Sequence, residues 1–130
     1  MLLCRGIRGA ILVEANEKEA ILEATQALLA WIVEANGIER ETLASVIFSV
    51  TPDLDAEFPA LAARRMGWRD VPLLCSREIA VPGAMPRVVR VLVHWNTARA
   101  ASEIRHAYLR DAAKLRPDLA LRPSDEAPQP

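Results

Sequence analysis

The 130-residue sequence predicts an α/β (α+β) fold, and three observations lead there. Residues 2–13 and 87–95 alternate apolar positions with the period of two that a strand imposes. Residues 17–35 repeat their apolar positions at helical spacing. The chain is 52% hydrophobic and 25% charged with a formal net charge of −1. That balance suits one domain with one core and excludes collagen, coiled coil and wholesale disorder. No apolar run approaches the roughly 18 residues of a membrane helix. The near-zero charge supplies no long-range attraction to nucleic acid. Neither a membrane nor a nucleic acid is an expected partner.

In strand 2–13, Leu3, Ile7, Ile11 and Val13 share one face, and Cys4, Arg8, Ala10 and Leu12 take the other. Gly6 and Gly9 predict a bulge or a close approach by another backbone or a ligand. Arg8 beside these glycines is an odd place for a charge. Helix 17–35 carries a stripe of Ile21, Leu28, Ile32 and Ala35, with Ala24 beside it and Leu22, Leu29 and Val33 widening it. Asn16 and Glu19 have the spacing of a capping box, and Gly37 is placed to stop the helix. Glu17, Lys18, Glu23 and Glu34 face water.

Residues 43–50 read as a buried strand, ended by Thr51-Pro52-Asp53. A short helix is predicted from Pro59 to the residue before Gly67, with Arg64 and Arg65 on adjacent directions. Val71–Cys75 reads as a short strand, and Pro82-Gly83 as a turn. In strand 87–95, Val89, Val91, Val93 and Trp95 share one face, and Val88, Arg90, Leu92 and His94 the other. A buried guanidinium without a partner is costly, so Arg90 demands an acidic neighbour or an anionic ligand. Residues 103–115 permit a helix or short irregular pieces. From Pro117 the chain is Pro-rich and poor in apolar groups, so its end is expected to fray.

The chemistry the sequence lacks is informative. It has no P-loop, no GxGxxG, no HExxH, no CxxC and no GxSxG. His94 and His106 are not at metal-ligand spacing, and structural roles suit both. Cys4 and Cys75 make neither a disulfide framework nor a zinc site. Together with an N-terminus charged too early for a signal peptide, they point to a reducing cytoplasm. Fourteen of the sixteen basic residues are Arg. A GC-rich genome explains most of them, but the planar fork of Arg is also the group suited to carboxylates. Arg8, Arg64, Arg90 and Arg116, with Glu78, Cys75 and Tyr108, suit gripping an anion and ordering a hydroxyl. Arg65, Arg69 and Arg110 are assigned to solvent or subunit contacts.

Several segments, in order and at matching spacing, resemble the small trimeric chorismate mutases of the Bacillus type, the AroH class. They are Arg5-Gly-Ile-Arg-Gly-Ala10, Thr51-Pro-Asp-Leu54, Phe58-Pro-Ala60 with Arg64, Gly67-Trp68, Val71-Pro72 and Cys75 with Glu78. Arg87-Val-Val-Arg90-Val, Ile104-Arg-His106, Tyr108-Leu109 and Leu115-Arg-Pro-Asp-Leu119 continue the series. The resemblance implies one domain over 1–119, with 120–130 as a Pro-rich disordered tail. It implies a mixed sheet with helices packed on one face, assembled as a homotrimeric pseudo-α/β barrel.

The implied activity is the conversion of chorismate to prephenate, the branch-point step toward phenylalanine and tyrosine. This concerted [3,3]-sigmatropic rearrangement needs no base, nucleophile, metal or cofactor. By resemblance, Arg90 meets the breaking ether oxygen and a substrate carboxylate. Arg8 binds a carboxylate with Tyr108 close by, and Glu78 accepts from the ring hydroxyl, helped by backbone and thiol groups at Cys75. Phe58, Ala60 and Leu73 form walls, Arg64 and Arg116 stand at the mouth, and Leu115 flanks it. The sites lie between subunits. Two positions depart from the family pattern: Leu61, where some relatives carry lysine, and Leu74, where a small hydroxyl residue is common. Backbone groups at Leu74 would still serve the site. The alternative reading is a non-catalytic trimeric protein that binds small anions on the same scaffold. An imine deaminase of similar architecture is a third.

Overall fold

A computed structural model describes residues 1–115. The elements are β1 (Leu3–Leu12), α1 (Lys18–Asn36), β2 (Leu43–Val50), α2 (Ala60–Arg65), β3 (Leu73–Arg77), β4 (Val88–Thr97) and β5 (Ala107–Leu109). Three short 3₁₀ turns, Arg40–Thr42, Ala101–Glu103 and Arg110–Leu115, punctuate them. The strands form one mixed sheet in the order β3-β2-β4-β1-β5. β4 lies antiparallel between β1 and β2, while β3 and β5 add in parallel to β2 and β1 at the two edges.

Both helices lie on one face of the sheet, as expected. Ile7 and Ile11 of β1, Val46 and Phe48 of β2, and Val89, Val91, Val93 and Trp95 of β4 pack there. They meet Ile21, Ala24, Leu28, Leu29 and Ile32 of α1 and Ala60 and Ala63 of α2. Two polar residues share the buried side of α1. Thr25 bonds back to Ile21 O at 2.7 Å. The Asn36 side chain spans to the approach of β5, donating to Arg105 O at 3.0 Å and accepting from Arg105 N at 2.9 Å. A second small cluster, Ala10, Val88, Tyr108 and Ala112, closes one end of the opposite face.

Several expectations need correction. Asn16 does not cap α1: Glu17 holds the cap position without a side-chain bond. The Asn16 carbonyl oxygen instead accepts from Asp55 N and Ala56 N, both at 3.0 Å, tying the loop before α2 to the start of α1. Gly37 does end the helix, in the left-handed conformation at φ 68°. The third strand is Leu73–Arg77 and not Val71–Cys75, because Val46 N bonds Pro72 O before the paired ladder begins at Leu73. The region 103–115 resolves into short irregular pieces and not a helix.

The close approach foreseen at the β1 glycines occurs at Gly9. A Cβ there would stand 3.1 Å from each of Ala107 O, Leu28 Cδ1 and Val91 Cγ1. The bulge lies elsewhere, between Leu43 and Ser45 of β2. Arg110 is an intrachain strap, bonded to Leu12 O and to Glu23, each at 3.0 Å. Arg65 faces Glu19 at 3.5 Å. Among the described residues no helix is long and apolar enough to cross a membrane. The expectations for Arg116 and for the Pro-rich tail lie outside the described residues.

Candidate active site

The site grows from register. Arg90 pairs with Ala10 on one side and Ser49 on the other. Ala10 pairs with Tyr108, and Ser49 with Ser76. Directly paired residues point to the same face. Tyr108, Ala10, Arg90, Ser49 and Ser76 therefore form one row on the face away from the helices. The next row is Arg8, Leu92, Ile47 and Leu74. Arg8 and Arg90 are diagonal neighbours across β1 and β4, a relation that spaces backbones by roughly 7–8 Å. Only Ala10 separates Arg90 from Tyr108 in this row. Arg8 is exposed, and its backbone N–H is fixed by His106 Nδ1 at 2.9 Å. His94 is likewise engaged, with Ser45 Oγ at 2.9 Å.

Glu78 follows β3 and reaches back over β2. Its N–H donates to Val50 O at 2.8 Å, and one carboxylate oxygen accepts from the Ser49 hydroxyl. The other stands 3.7 Å from Arg90 Nε, an ion pair outside hydrogen-bond reach. Arg90 Nε is buried and has no hydrogen-bond partner among the described residues. Leaving such a donor unsatisfied is unfavourable, so it favours any acceptor that enters. Arg8, Ser49, Glu78, Arg90 and Leu92 line a cavity of about 370 Å³. Two guanidinium groups against one carboxylate leave it positive, which suits an anion.

A second group of expected residues collects elsewhere. Cys75 pairs with Phe48, which pairs with Val91, so its thiol points to the helix side of the sheet and away from the Arg90 row. There its sulfur accepts from Ala60 N–H at the start of α2, within electrostatic reach of Arg64. Burial pushes the Cys75 thiol up, and the Ala60 N–H and Arg64 only partly oppose this. The thiol is a neutral hydrogen-bonding group, not a poised nucleophile. Phe58, 66% exposed, lines a hollow of about 440 Å³ with Leu54, Pro59, Cys75 and Ser76. Leu73 is half-buried against the core, and Leu74 is 62% exposed on the opposite face. Arg64 is exposed and Ala60 buried.

One chain therefore brings Arg8, Glu78 and Arg90 together, with Tyr108 in the same row, and Phe58, Ala60, Arg64 and Cys75 together. It does not join the two groups. Tyr108 and Leu115 pack in the cluster with Ala10 and Val88. Ser49 is the residue sequence reasoning missed. Its signal, one of two hydroxyls in an otherwise apolar strand, acquires meaning only once the register sets it opposite Arg90.

Residues 4–119 match the family model described as chorismate mutase type I. The chain belongs to the type I chorismate mutases. A chorismate mutase AroH of Thermus thermophilus is 57% identical over 118 residues, covering 90% of this chain and 97% of that protein. Chorismate mutase AroH of Bacillus subtilis (strain 168) is 41% identical over 126 residues, 96% of this chain and 99% of its own length. A solved chorismate mutase from Clostridium thermocellum superposes with a TM-score of 0.83 at 46% identity, covering 84% of this chain and 97% of that one. Against the mutase pattern, Leu61 sits half-buried on α2, and Leu74 lies in the row of Arg8.

Proposed function

We propose that this chorismate mutase isomerises chorismate to prephenate in a site shared by neighbouring subunits of a homotrimer. Arg8, Glu78, Arg90 and Tyr108 come from one subunit, and Phe58, Ala60, Arg64, Leu73, Leu74 and Cys75 from the next. The observation that carries this reading is the buried, unpartnered Nε of Arg90 in a groove that also holds Arg8 and Glu78. The division between subunits rests on Arg90 and Cys75 facing opposite sides of the sheet within one chain, and Leu74, whose side chain lies in the row of Arg8, is assigned to the second group through its backbone beside Cys75.

The reaction breaks a C–O bond as a C–C bond forms, through a cyclic six-atom transition state in which no proton changes hands. The protein has two tasks. It must hold a flexible dianion in its compact form, and it must meet the negative charge that grows on the ether oxygen. Arg8 takes one carboxylate, with the Tyr108 hydroxyl beside it. Arg90 spans the ether oxygen and a carboxylate with its fork. Glu78 accepts from the ring hydroxyl, which fixes the direction of the ring. The partner subunit's Phe58 and Ala60 wall the ring, while its Cys75 stays a neutral donor. Arg64 and Arg116 draw the dianion to the mouth, and Leu115 lies beside it. Leu61 leaves the rim one cation short of the relatives that carry lysine, which weakens capture more than the chemical step. The product feeds phenylalanine and tyrosine synthesis. Two free thiols suit a reducing cytoplasm.

The experiment has two arms. Purified protein mixed with chorismate is followed by loss of chorismate absorbance. Loss no faster than the spontaneous reaction, in folded trimer, refutes catalysis and favours the non-catalytic anion-binding reading. In the second arm, two impaired variants, Arg90→Leu and Ala60→Trp, are unfolded together and refolded. If each site draws one group from each neighbour, roughly a quarter of all sites in an equal mixture regain both intact groups, and activity returns. No recovery means that both groups belong to one subunit.

A further inference from the structure

Arg90 and Glu78 face each other across the groove, yet they stop short of a hydrogen bond at 3.7 Å. Opposite charges at that distance are drawn together, which a small rotation of the Glu78 side chain would satisfy. What opposes the rotation is the Ser49 hydroxyl, which donates to the far oxygen of the same carboxylate. The Glu78 backbone is tied to the adjacent residue of β2, through Val50 O at 2.8 Å. Two consecutive residues of β2 thus hold Glu78 at its root and at its tip. Ser49 is itself fixed, being paired directly with Arg90.

We infer that Ser49 is a positioning residue that holds Glu78 off Arg90 and so keeps the Arg90 Nε–H for the substrate. This deepens the reading of the same site and rests on it. Before substrate binds, the Arg90–Glu78 pair can take two arrangements. In one, Glu78 collapses onto Arg90 and the incoming dianion must break a charge-assisted bond before it binds. In the other, Glu78 is anchored and the donor stays open, which is the arrangement observed. Such preorganisation lowers the work of binding and sets Glu78 at a fixed height for the ring hydroxyl.

The test is Ser49→Ala, with Ser49→Thr as the variant that keeps a hydroxyl in a strand-compatible side chain. Both are assayed beside Glu78→Gln, the double variant Ser49→Ala/Glu78→Gln, and Arg90→Leu. The expected result for Ser49→Ala is a fall in kcat/KM of about tenfold to a hundredfold, carried chiefly by KM, with Ser49→Thr within about threefold of the parent. Because Ser49 acts through Glu78, adding Ser49→Ala to Glu78→Gln should change kcat/KM by less than about twofold. A Ser49→Ala enzyme within twofold of the parent, or a loss that persists undiminished in the Glu78→Gln background, would overturn the inference. Arg90→Leu separates the two levels. If it is crippled while Ser49→Ala is normal, only the role of Ser49 fails. If it too is near normal, the reading of the site falls, and this inference with it.

Discussion

Replacing Arg90 with Leu removes the one group credited with following the reaction coordinate. A single oxyanion-hole donor is worth roughly 10²–10³ in kcat. Arg90 is assigned two bonds, to the ether oxygen and to a carboxylate, and charge-assisted bonds are roughly twice as strong as neutral ones. The expected loss is about 10⁴ in kcat or more, near 5.5 kcal/mol at 1.36 kcal/mol per tenfold. Stability should hardly move. The side chains of Arg90 and Glu78 are 29% and 32% exposed and meet only at 3.7 Å, and pairs of that kind contribute at most about 1 kcal/mol. Removing Nε also removes a buried donor that had no partner. Chorismate loss at saturating substrate gives kcat, and a denaturant titration gives stability. An Arg90→Leu protein that keeps kcat within tenfold of the parent would refute the ether-oxygen role. A collapse in stability that tracks the lost activity would refute the separation of catalysis from folding.

Gly9→Ala should destabilise the fold by about 1–3 kcal/mol, the range for overpacking, because its Cβ meets a carbonyl oxygen, Leu28 and Val91 at 3.1 Å each; an unmoved denaturation midpoint would count against the close approach. Burial raises the Cys75 thiol, so the folded state prefers the protonated form. That contribution is whole at neutral pH and is lost as pH rises above the ordinary thiol range through the raised value. The parent should therefore lose more stability than Cys75→Ala across an alkaline series, and parallel curves would contradict the assignment.

Much of the scaffold was legible because its signals are local. The alternation of Val89, Val91, Val93 and Trp95 marks a strand whatever lies beside it, and the Ile21–Leu28–Ile32 stripe marks a helix with one buried side. Asn16 misled because its capping competence is a property of the residue, while the partner it chose is a loop 39 residues away. The third strand slipped by two residues because apolar Val71 looks like a strand residue locally, and only pairing with β2 shows where the ladder starts. Arg90 announced itself as a charge in an apolar run. Glu78 stood out only as a polar group, since its partner depends on a register that brings residue 78 over residues 49 and 50. The roles of Arg8, Tyr108, Phe58 and Cys75 came through likeness to a family, which transmits tertiary information that periodicity cannot hold.

The division of the expected residues between two faces follows from the pleat and bears on assembly. Successive residues of β3 alternate sides, so Cys75 and Leu73 are committed to α2, while Leu74 and Ser76 are committed to the rows of Arg8 and Arg90. No side-chain rotation in one chain undoes that alternation. On the proposed reading, a substrate that touches both the Arg90 fork and the Phe58–Cys75 hollow takes the hollow from a second copy. The surface fits that demand. Phe58, Leu74, Ile79 and Val81 are 66%, 62%, 83% and 58% exposed; Phe58 lines the hollow with Cys75, Ile79 and Val81 line a cavity with Glu78 and Arg90, and Leu74 lies in the row of Arg8. Large apolar side chains around polar groups suit a protein interface. The helix-free face that makes the isolated chain look unfinished is the one that carries Arg8 and Arg90. If assembly and catalysis draw on the same residues, as proposed, a substitution that blocks association, such as a charge at Leu74, silences the enzyme with Arg90 intact.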